Sequence, residues 1–236
     1  MRYDRQESFR MIGRRGQGIL SRSTIAIVGV GGIGSVAAEI MARAGAGRIA
    51  LIDHDVVKIN NLQRQSLYEE KDVGKKKAIR AAERIFKING EVGVQAVDEK
   101  LGEHNLHILD DATIILDGTD NLETRFLINK YCLDMKKPWV HAAAAGETGY
   151  VFPVIPGGPC LKCIIKDAAK ETKTSANSGI LNTLVHAIAA LQCNEAIKVI
   201  VGEPPEKNLL FLNIWENKLE KIAIKKDAKC PACASK

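Results

Sequence analysis

The sequence predicts an α/β fold in which a doubly wound, mostly parallel sheet is followed by an antiparallel C-terminal part. Apolar, β-branched runs alternate with helical patterns from Thr24 to Ala143, which is typical of parallel strands joined by right-handed crossovers. After residue 145 the alternation stops, and two short apolar runs over 209–212 and 219–224 indicate a hairpin. Spaced glycines directly after the first apolar run indicate a strand–turn–helix unit.

Each element is predicted from the period of its apolar residues. Residues 1–22 are rich in arginine, lack a strand pattern and predict two short helices around Gly13 and Gly16. The expected strands are 24–28, 48–52, 93–97, 113–116, 139–143 and 149–155. The expected helices are 33–44, 75–88, 122–135 and 181–201, the last of them buried nearly all round. The helix over 75–88 would place on one face Ala78, Ala81, Ala82, Ile85 and Phe86.

A glycine-rich turn and a distant aspartate indicate that the parallel part binds a nucleotide. The turn would lie between a buried strand and a helix N-terminus, where unpaired N–H groups attract phosphate and glycines let the ligand approach the backbone. Asp53 follows the second apolar run, 19 residues after the turn, where a ribose-binding carboxylate belongs. The pattern alone does not say which nucleotide binds. The glycines are Gly29, Gly31, Gly32 and Gly34.

Polar residues at the same edge of the sheet favour a triphosphate over a dinucleotide. Ligands of doubly wound sheets bind beyond the carboxyl ends of the strands. Asn61, Arg64 and Lys77 would neutralise phosphate charge there, which a nicotinamide dehydrogenase does not need. Asp120, at the tip of the fourth strand, would hold magnesium, although it is also placed to cap the next helix. His141 is interpreted as an interior histidine with a polar partner.

Two Cys-x-x-Cys pairs predict a closed zinc site. Each pair supplies two thiolates from a tight turn, and four thiolates complete the tetrahedral shell of a structural zinc ion. Two local disulfides or a redox dithiol are the alternatives, which a reducing compartment disfavours. The cysteines are Cys160, Cys163, Cys230 and Cys233.

Composition disfavours several functional classes. The chain has 236 residues, of which 46% are hydrophobic, and a formal net charge of +6. Its basic residues are spread along the chain, which favours a solvated basic surface over nucleic-acid binding. We expect no stretch that spans a bilayer, and the first residues lack the hydrophobic region of a signal peptide. A cytoplasmic protein that binds neither nucleic acid nor membrane is expected.

Together these motifs resemble the ThiF/MoeB/HesA family, the bacterial and archaeal relatives of ubiquitin-activating enzymes. The resemblance covers nearly the whole chain and implies a Rossmann-like homodimer. Such a dimer binds ATP and magnesium, activates a carboxylate as its acyl-adenylate and releases pyrophosphate. The matching segments are Arg5-Gln6, Gly29 to Gly34, Asp53-His54-Asp55, Asn61 to Gln65, Lys77, Thr119-Asp120-Asn121 and both cysteine pairs.

The resemblance implies a role for each matching residue. Catalysis would depend on Arg5, Arg64, Lys77 and Asp120, with Arg5 reaching the ATP of the partner subunit. The four cysteines would bind structural zinc. One domain over residues 1–236 would comprise a helical arm (1–22), a nucleotide-binding core (23–145) and a zinc-bearing substrate part (146–236). The remaining nucleotide contacts would come from the glycine turn, from Asp53 at the ribose, from Asn61 at the phosphates, and from Thr119 and Asn121 beside the magnesium ligand Asp120.

The sequence departs from the sulfur-transferring members of the family at one position. Those members carry a cysteine on the loop after the first cysteine pair, where this chain has Ser175, a weak nucleophile without a base. Cys132 and Cys193 are expected to be small core residues rather than nucleophiles. Covalent thioester or persulfide chemistry is therefore not favoured.

Two substrate classes stay open for an adenylating enzyme. One is the C-terminal glycine of a ubiquitin-like sulfur carrier, as in MoeB-like members, with an acceptor protein for the activated acyl group. The other is a small-molecule carboxylate, as in HcgE-like members, which adenylate a pyridinol carboxylate during iron-guanylylpyridinol cofactor assembly. Ser175 gives a slight lean to the second class. An NAD-dependent oxidoreductase and a nucleotide sensor without catalysis are weaker alternatives.

Overall fold

Five parallel strands form the first part of the sheet. The computed structural model describes residues 2–165 and 179–234. The strand order is β3-β2-β1-β4-β5, so the chain adds β2 and β3 on one side of β1 and then β4 and β5 on the other. This switch opens a crevice between β1 and β4 at the carboxyl edge, where doubly wound sheets bind ligands. The strands are β1 Thr24–Val28, β2 Arg48–Ile52, β3 Gly93–Val97, β4 Ile114–Asp117 and β5 Trp139–Ala145.

Three antiparallel strands continue the same sheet beyond β5. They are β6 Thr148–Val154, β7 Leu209–Asn213 and β8 Lys218–Ile222, and each pairs with the strand before it. The predicted C-terminal hairpin is β7–β8. Because the sheet is continuous from β3 to β8, the expected nucleotide core and substrate part share one sheet.

Helices cover both faces of the sheet. The helices α3, α4 and α7 pack on one face, in a buried cluster that includes Ile27 and Ile188. The helices α5 and α6 and the four cysteines pack on the other face, with Ile115 and Trp139. The bounds are α1 Asp4–Glu7, α2 Gly13–Leu20, α3 Gly32–Ala44, α4 Lys77–Ile88, α5 Leu122–Asp134, α6 Leu161–Ile164 and α7 Asn182–Val201.

Expectations about two of the helices were wrong. Phe86 is 65% exposed whereas Ile85 is fully buried, because successive residues of a helix point about 100° apart. The helix α7 is long and apolar enough to cross a membrane by length and composition, although the sequence analysis expected no such stretch. Half of α7 is buried against α3 and the sheet, as in the core helix of a globular domain.

Candidate functional site

A cleft of about 990 Å³ opens at the carboxyl edge of the parallel strands. The turn between β1 and α3, the loops after β2 and β4, and the end of β5 form its walls. Two predicted site residues, Gly34 and Arg5, do not line it. The cleft brings together the predicted nucleotide-binding residues Gly29, Gly31, Gly32, Asp53, Asn61, Arg64, Lys77, Thr119, Asp120 and Asn121.

The glycine turn owes its shape to close backbone packing. Gly29 has a φ of +83°, and a Cβ atom there would lie 2.7 Å from the carbonyl group of Gly118. A Cβ atom on Gly34 would fall on the carbonyl oxygen of Gly29, so Gly34 serves the turn rather than the ligand. Among the residues that the structure describes, no side chain caps α3 at Gly31, which lines the cleft. The first N–H groups of α3 are therefore available to a phosphate.

Asp53 ties the glycine turn to the end of β2. Its Oδ2 accepts the N–H of Val30 at 2.7 Å, and its Oδ1 accepts the N–H of Asp55 at 2.8 Å. Only 8% of Asp53 is exposed, at the wall of the cleft. Each carboxylate oxygen has a second lone pair, so the side chain can still accept ribose hydroxyls.

Lys77 pairs with Asp55, a contact that the sequence analysis missed. Lys77 Nζ lies 3.0 Å from Asp55 Oδ2, and the Lys77 side chain is only 7% exposed. Burial acts to raise the pKa of Asp55, but the hydrogen bond and charge of Lys77 outweigh burial and lower the pKa below its ordinary value. The ammonium group is thereby held at the cleft wall before any ligand binds.

Asn61 and Arg64 project from a short segment after β2. A 3₁₀ helix, Ile59–Asn61, carries the first of them, and the Asn61 side chain donates to Asn60 Oδ1 at 3.1 Å. Arg64 Nη1 donates to the Asn60 carbonyl at 3.0 Å, which directs the guanidinium toward the cleft wall. One amide and two cations thus line the same side of the cleft as the glycine turn.

Asp120 lies on the turn between β4 and α5, and the capping alternative for it is wrong. Asn121 caps α5 instead, since its Oδ1 accepts the N–H of Thr124 at 2.9 Å. Asp120 is exposed and makes no hydrogen bond or ion pair with any residue that the structure describes. A hard divalent cation prefers an unengaged carboxylate of this kind.

His141 is an interior histidine, as expected. It is fully buried in β5, and its Nδ1 lies 2.6 Å from Asp117 Oδ2. Asp117 and its further partner Arg125 carry no signal in the sequence beyond their position next to the Thr119–Asn121 turn. Their contacts become visible only once β4, β5 and α5 are packed together.

The other half of the cleft combines small side chains with two aromatic rings. Residues 143–146, three alanines and a glycine, line it together with Tyr150 and Phe211. Tyr150 and Phe211 are cross-strand partners on β6 and β7, so both rings lie on one face of the sheet. We name this half the acyl arm. It has room for an organic group next to the half of the cleft that Arg64 and Lys77 line.

The four cysteines predicted to bind zinc lie together, buried on the α5 side of the sheet. Their sulfur atoms all lie within 4.8 Å of one another. The separations are 3.7 Å for Cys160–Cys230 and 3.5 Å for Cys163–Cys233. Four thiolates about 2.3 Å from one ion lie about 3.8 Å apart, whereas a disulfide is about 2.05 Å long. The cluster is thus able to hold a tetrahedral metal ion.

The remaining candidate residues lie outside the cleft. Arg5 is exposed on α1. Cys132 and Cys193 are buried, and burial raises the pKa of both thiols, which keeps them protonated and poorly nucleophilic. Ser175 and the charged segment around it lie outside the described residues.

Comparisons with known proteins identify the family of this chain. The ThiF family model matches residues 3–232. The sulfur carrier protein ThiS adenylyltransferase of Bacillus subtilis is 37% identical, over the whole chain and 72% of that protein. The SAMP-activating enzyme E1 of Haloferax volcanii is 32% identical, over 98% of this chain and 88% of that one.

Solved structures of similar fold include a biosynthetic enzyme, MccB. Escherichia coli MccB superposes with a TM-score of 0.87 at 26% identity, over 99% of this chain and 74% of that one. An MccB structure with ATP superposes with a TM-score of 0.80, over 93% and 69% of the two chains. The family, its named adenylyltransferases and an ATP-bound neighbour together support ATP binding. The chain therefore belongs to the ThiF family and is an adenylyltransferase.

Proposed function

We propose that the protein uses ATP and magnesium to adenylate the C-terminal carboxylate of a ubiquitin-like sulfur carrier protein. One observation carries the proposal: a single cleft joins the phosphate-binding half, with Arg64 and Lys77, to the acyl arm. The arrangement suits an organic acid placed next to the α-phosphate of ATP. The glycine tail of a carrier is thin enough for an arm walled by alanines.

The reaction needs charge neutralisation and positioning. A carboxylate oxygen attacks the α-phosphorus, and pyrophosphate leaves with the electrons of the broken P–O bond. The attacking acid is already ionised near neutral pH, so no general base is required. In this proposal Asn61, Arg64 and Lys77 bind the phosphates and Asp53 binds the ribose. These fixed groups lower the repulsion between the carboxylate and the triphosphate.

Two metal ions are part of the proposal. Asp120 would hold magnesium, for which its unengaged carboxylate at the cleft is suited. The magnesium ion would neutralise phosphate charge. The four cysteines would hold structural zinc, for which their sulfur separations are suited. Burial acts to raise the pKa of Cys230, but backbone N–H groups and the neighbouring thiols outweigh burial and lower that pKa, whereas burial is the main cause that raises the pKa of Cys160 and Cys233.

Partners and location are also inferred. The relatives named above act, by their names, on ThiS and on SAMP, which supports a carrier protein as substrate. The comparisons give no specific support to the lean toward a small-molecule carboxylate. We expect a homodimer in which exposed Arg5 reaches the phosphates of the partner's ATP, an acceptor protein for the activated acyl group, and a cytoplasmic location.

The test is ATP–pyrophosphate exchange with a panel of carboxylates. The panel contains carriers ending in Gly-Gly, their truncated forms, and small aromatic acids including pyridinol carboxylates. We expect exchange with a Gly-Gly carrier only. Exchange with a small acid alone would overturn the carrier assignment, and exchange with none would overturn the proposed substrate class altogether.

The variant Asp120→Ala tests the magnesium role of Asp120 in the same exchange assay, and Asp111→Ala is its control. Asp111 is an exposed aspartate before β4, at the opposite edge of the sheet. We expect Asp120→Ala to abolish exchange and Asp111→Ala to retain it. Normal exchange by Asp120→Ala would refute the magnesium role.

A further inference from the structure

A charged residue is buried directly beneath the magnesium-binding turn. Asp117 ends β4, and its side chain is fully buried. Its Oδ1 accepts the Thr119 N–H at 2.8 Å and the Thr119 hydroxyl at 2.6 Å. Its Oδ2 lies 2.6 Å from His141 Nδ1 and 3.3 Å from Arg125 Nε. One carboxylate thus joins β4, β5 and α5 to the turn.

The polar groups of Thr119 are all engaged from below. Arg125 Nη2 donates to the Thr119 carbonyl at 2.7 Å, in addition to the two hydrogen bonds from Thr119 to Asp117. The next residue is Asp120, which has no such partner among the described residues. The position of the Asp120 carboxylate therefore depends on how firmly Thr119 is held.

The backbone on either side of Asp117 cannot easily move. The Gly118 N–H donates to the Val28 carbonyl at 2.8 Å. Gln192, on α7, donates to the carbonyls of Asp117 at 2.8 Å and Val140 at 2.9 Å. These bonds fix the start of the Thr119–Asn121 turn relative to the glycine turn and to β5. The side-chain contacts of Asp117 then decide how far Thr119 is able to move.

A buried ionic network is a poor device for stability alone. Taking a carboxylate out of water costs several kcal/mol, and apolar residues of similar volume often stabilise a core as well or better. Burial acts to raise the pKa of Asp117, but Arg125 and His141 outweigh burial and keep the pKa below its ordinary value, so the charge persists. Two hydrogen bonds of this charged group go to Thr119, the residue before Asp120.

His141 also connects the turn to the acyl arm. Its ring lies 5.3 Å from the ring of Tyr150, edge to face, and Tyr150 lines the acyl arm. His141 is therefore in contact with both the carboxylate that holds the turn and the wall that would face the acyl group.

We propose that Asp117 and His141 are a buried positioning pair that fixes the Thr119–Asn121 turn and so aims the Asp120 carboxylate at the metal-bound triphosphate. This inference rests on the magnesium role of Asp120 in the proposed function. The pair touches no substrate itself. It acts by holding Thr119, and His141 sets the orientation of the Asp117 carboxylate.

His141→Leu and His141→Asn test the pair. Leucine removes the donor, whereas the amide nitrogen of asparagine can take the place of Nδ1. Tyr131→Phe is the control, because it removes a hydrogen bond of 2.6 Å to Asp110 from the same helix as Arg125 but away from the turn. The probe is ATP, titrated calorimetrically with magnesium and with EDTA.

Wild-type protein should bind ATP more tightly with magnesium than with EDTA. We call the ratio of these two affinities the magnesium gain. In His141→Leu we expect the magnesium gain to fall roughly tenfold, while the affinity for ATP in EDTA changes less than about twofold. His141→Asn and Tyr131→Phe should keep the gain. A wild-type magnesium gain in His141→Leu would overturn the positioning role, and so would an equal loss of ATP affinity with magnesium and with EDTA.

Hydrogen exchange of the 117–121 peptide separates this inference from the proposed function. We expect faster exchange in His141→Leu than in Tyr131→Phe, because Thr119 N–H loses a fixed acceptor. Unchanged exchange would overturn the positioning pair. If wild-type protein showed no magnesium gain, the metal role of Asp120 would fail, while faster exchange would still support the pair. Should His141→Leu not fold, Thr119→Val replaces it: this variant loses only the hydroxyl contact to Asp117, so we expect a smaller increase in exchange of the same peptide, and unchanged exchange would overturn the pair.

Discussion

Replacing Lys77 by methionine separates phosphate binding from stability. Methionine keeps most of the side-chain volume and removes the charge that lies 3.0 Å from Asp55. Lys76→Met is the matched control, since Lys76 Nζ lies 3.2 Å from Asp98 but does not line the cleft. The two variants therefore each lose one lysine ion pair at the start of α4, and only one of them loses a cleft cation.

The expected loss of stability is modest. Breaking a fully buried ion pair costs about 3–5 kcal/mol, and an exposed pair is worth about 0.2–1 kcal/mol. Lys77 is buried but the Asp55 side chain is 49% exposed, so we expect about 1–2 kcal/mol for Lys77→Met. For a chain of this length that lowers the melting temperature by about 2–8 °C. Lys76→Met should lose less than about 1 kcal/mol, because its partner is also partly exposed.

The expected loss of affinity is larger. A hydrogen bond to a charged group is worth about 1.5–3 kcal/mol, so Lys77→Met should bind ATP roughly 10- to 100-fold more weakly. Lys76→Met should bind ATP within about twofold of wild type. Isothermal calorimetry measures both. Wild-type ATP affinity in Lys77→Met, in a folded protein, would refute the phosphate-binding role.

The pH dependence has a defined sign. The pKa of Asp55 is lower in the folded protein than in the unfolded chain, so its contribution to stability is present above the unfolded pKa of 3.8. That contribution is lost as the pH falls through the folded pKa. Lys77→Met removes the group that lowers this pKa most, so the difference in stability between variant and wild type should shrink in acid.

Three further predictions concern the turn, the metal cluster and the dimer. Gly34→Ala should bind ATP roughly tenfold more weakly and melt earlier, because its methyl group would fall on a backbone carbonyl, whereas Gly31→Ala meets a side-chain nitrogen 3.7 Å away and should fold normally. Equal melting temperatures would contradict this. Cys230→Ser should lose the bound zinc, measured by mass spectrometry, and melt several degrees earlier; full zinc content would exclude the site. Mixed dimers of Arg5→Ala and Arg64→Ala chains should recover one working site, and no recovery would argue against action across the dimer.

The strands and helices whose signals lie within a few neighbouring residues were predicted with nearly the observed bounds. The strand over 24–28 and the helix after it follow from a β-branched run and a glycine turn, both readable within a few residues. The cysteine cluster was also predictable, because two Cys-x-x-Cys pairs have few alternative uses. Phe86 was misplaced since a period of 3.6 does not by itself say where an apolar face ends.

The contacts that depend on packing were not predictable. Asp117 and His141 are 24 residues apart, and only the pairing of β4 with β5 brings them within 2.6 Å. The capping of α5 by Asn121 rather than Asp120 depends on one residue of offset, which sequence reasoning does not resolve. Lys77 and Asp55 likewise meet only once α4 folds back on the loop after β2.

The most direct test of the central claim is a crystal structure with magnesium and a non-hydrolysable ATP analogue. We expect adenosine with its ribose at Asp53, its phosphates against Arg64 and Lys77, and the metal ion on Asp120. A triphosphate that points away from these cations, or a nicotinamide dinucleotide that binds there in preference to ATP, would contradict that claim.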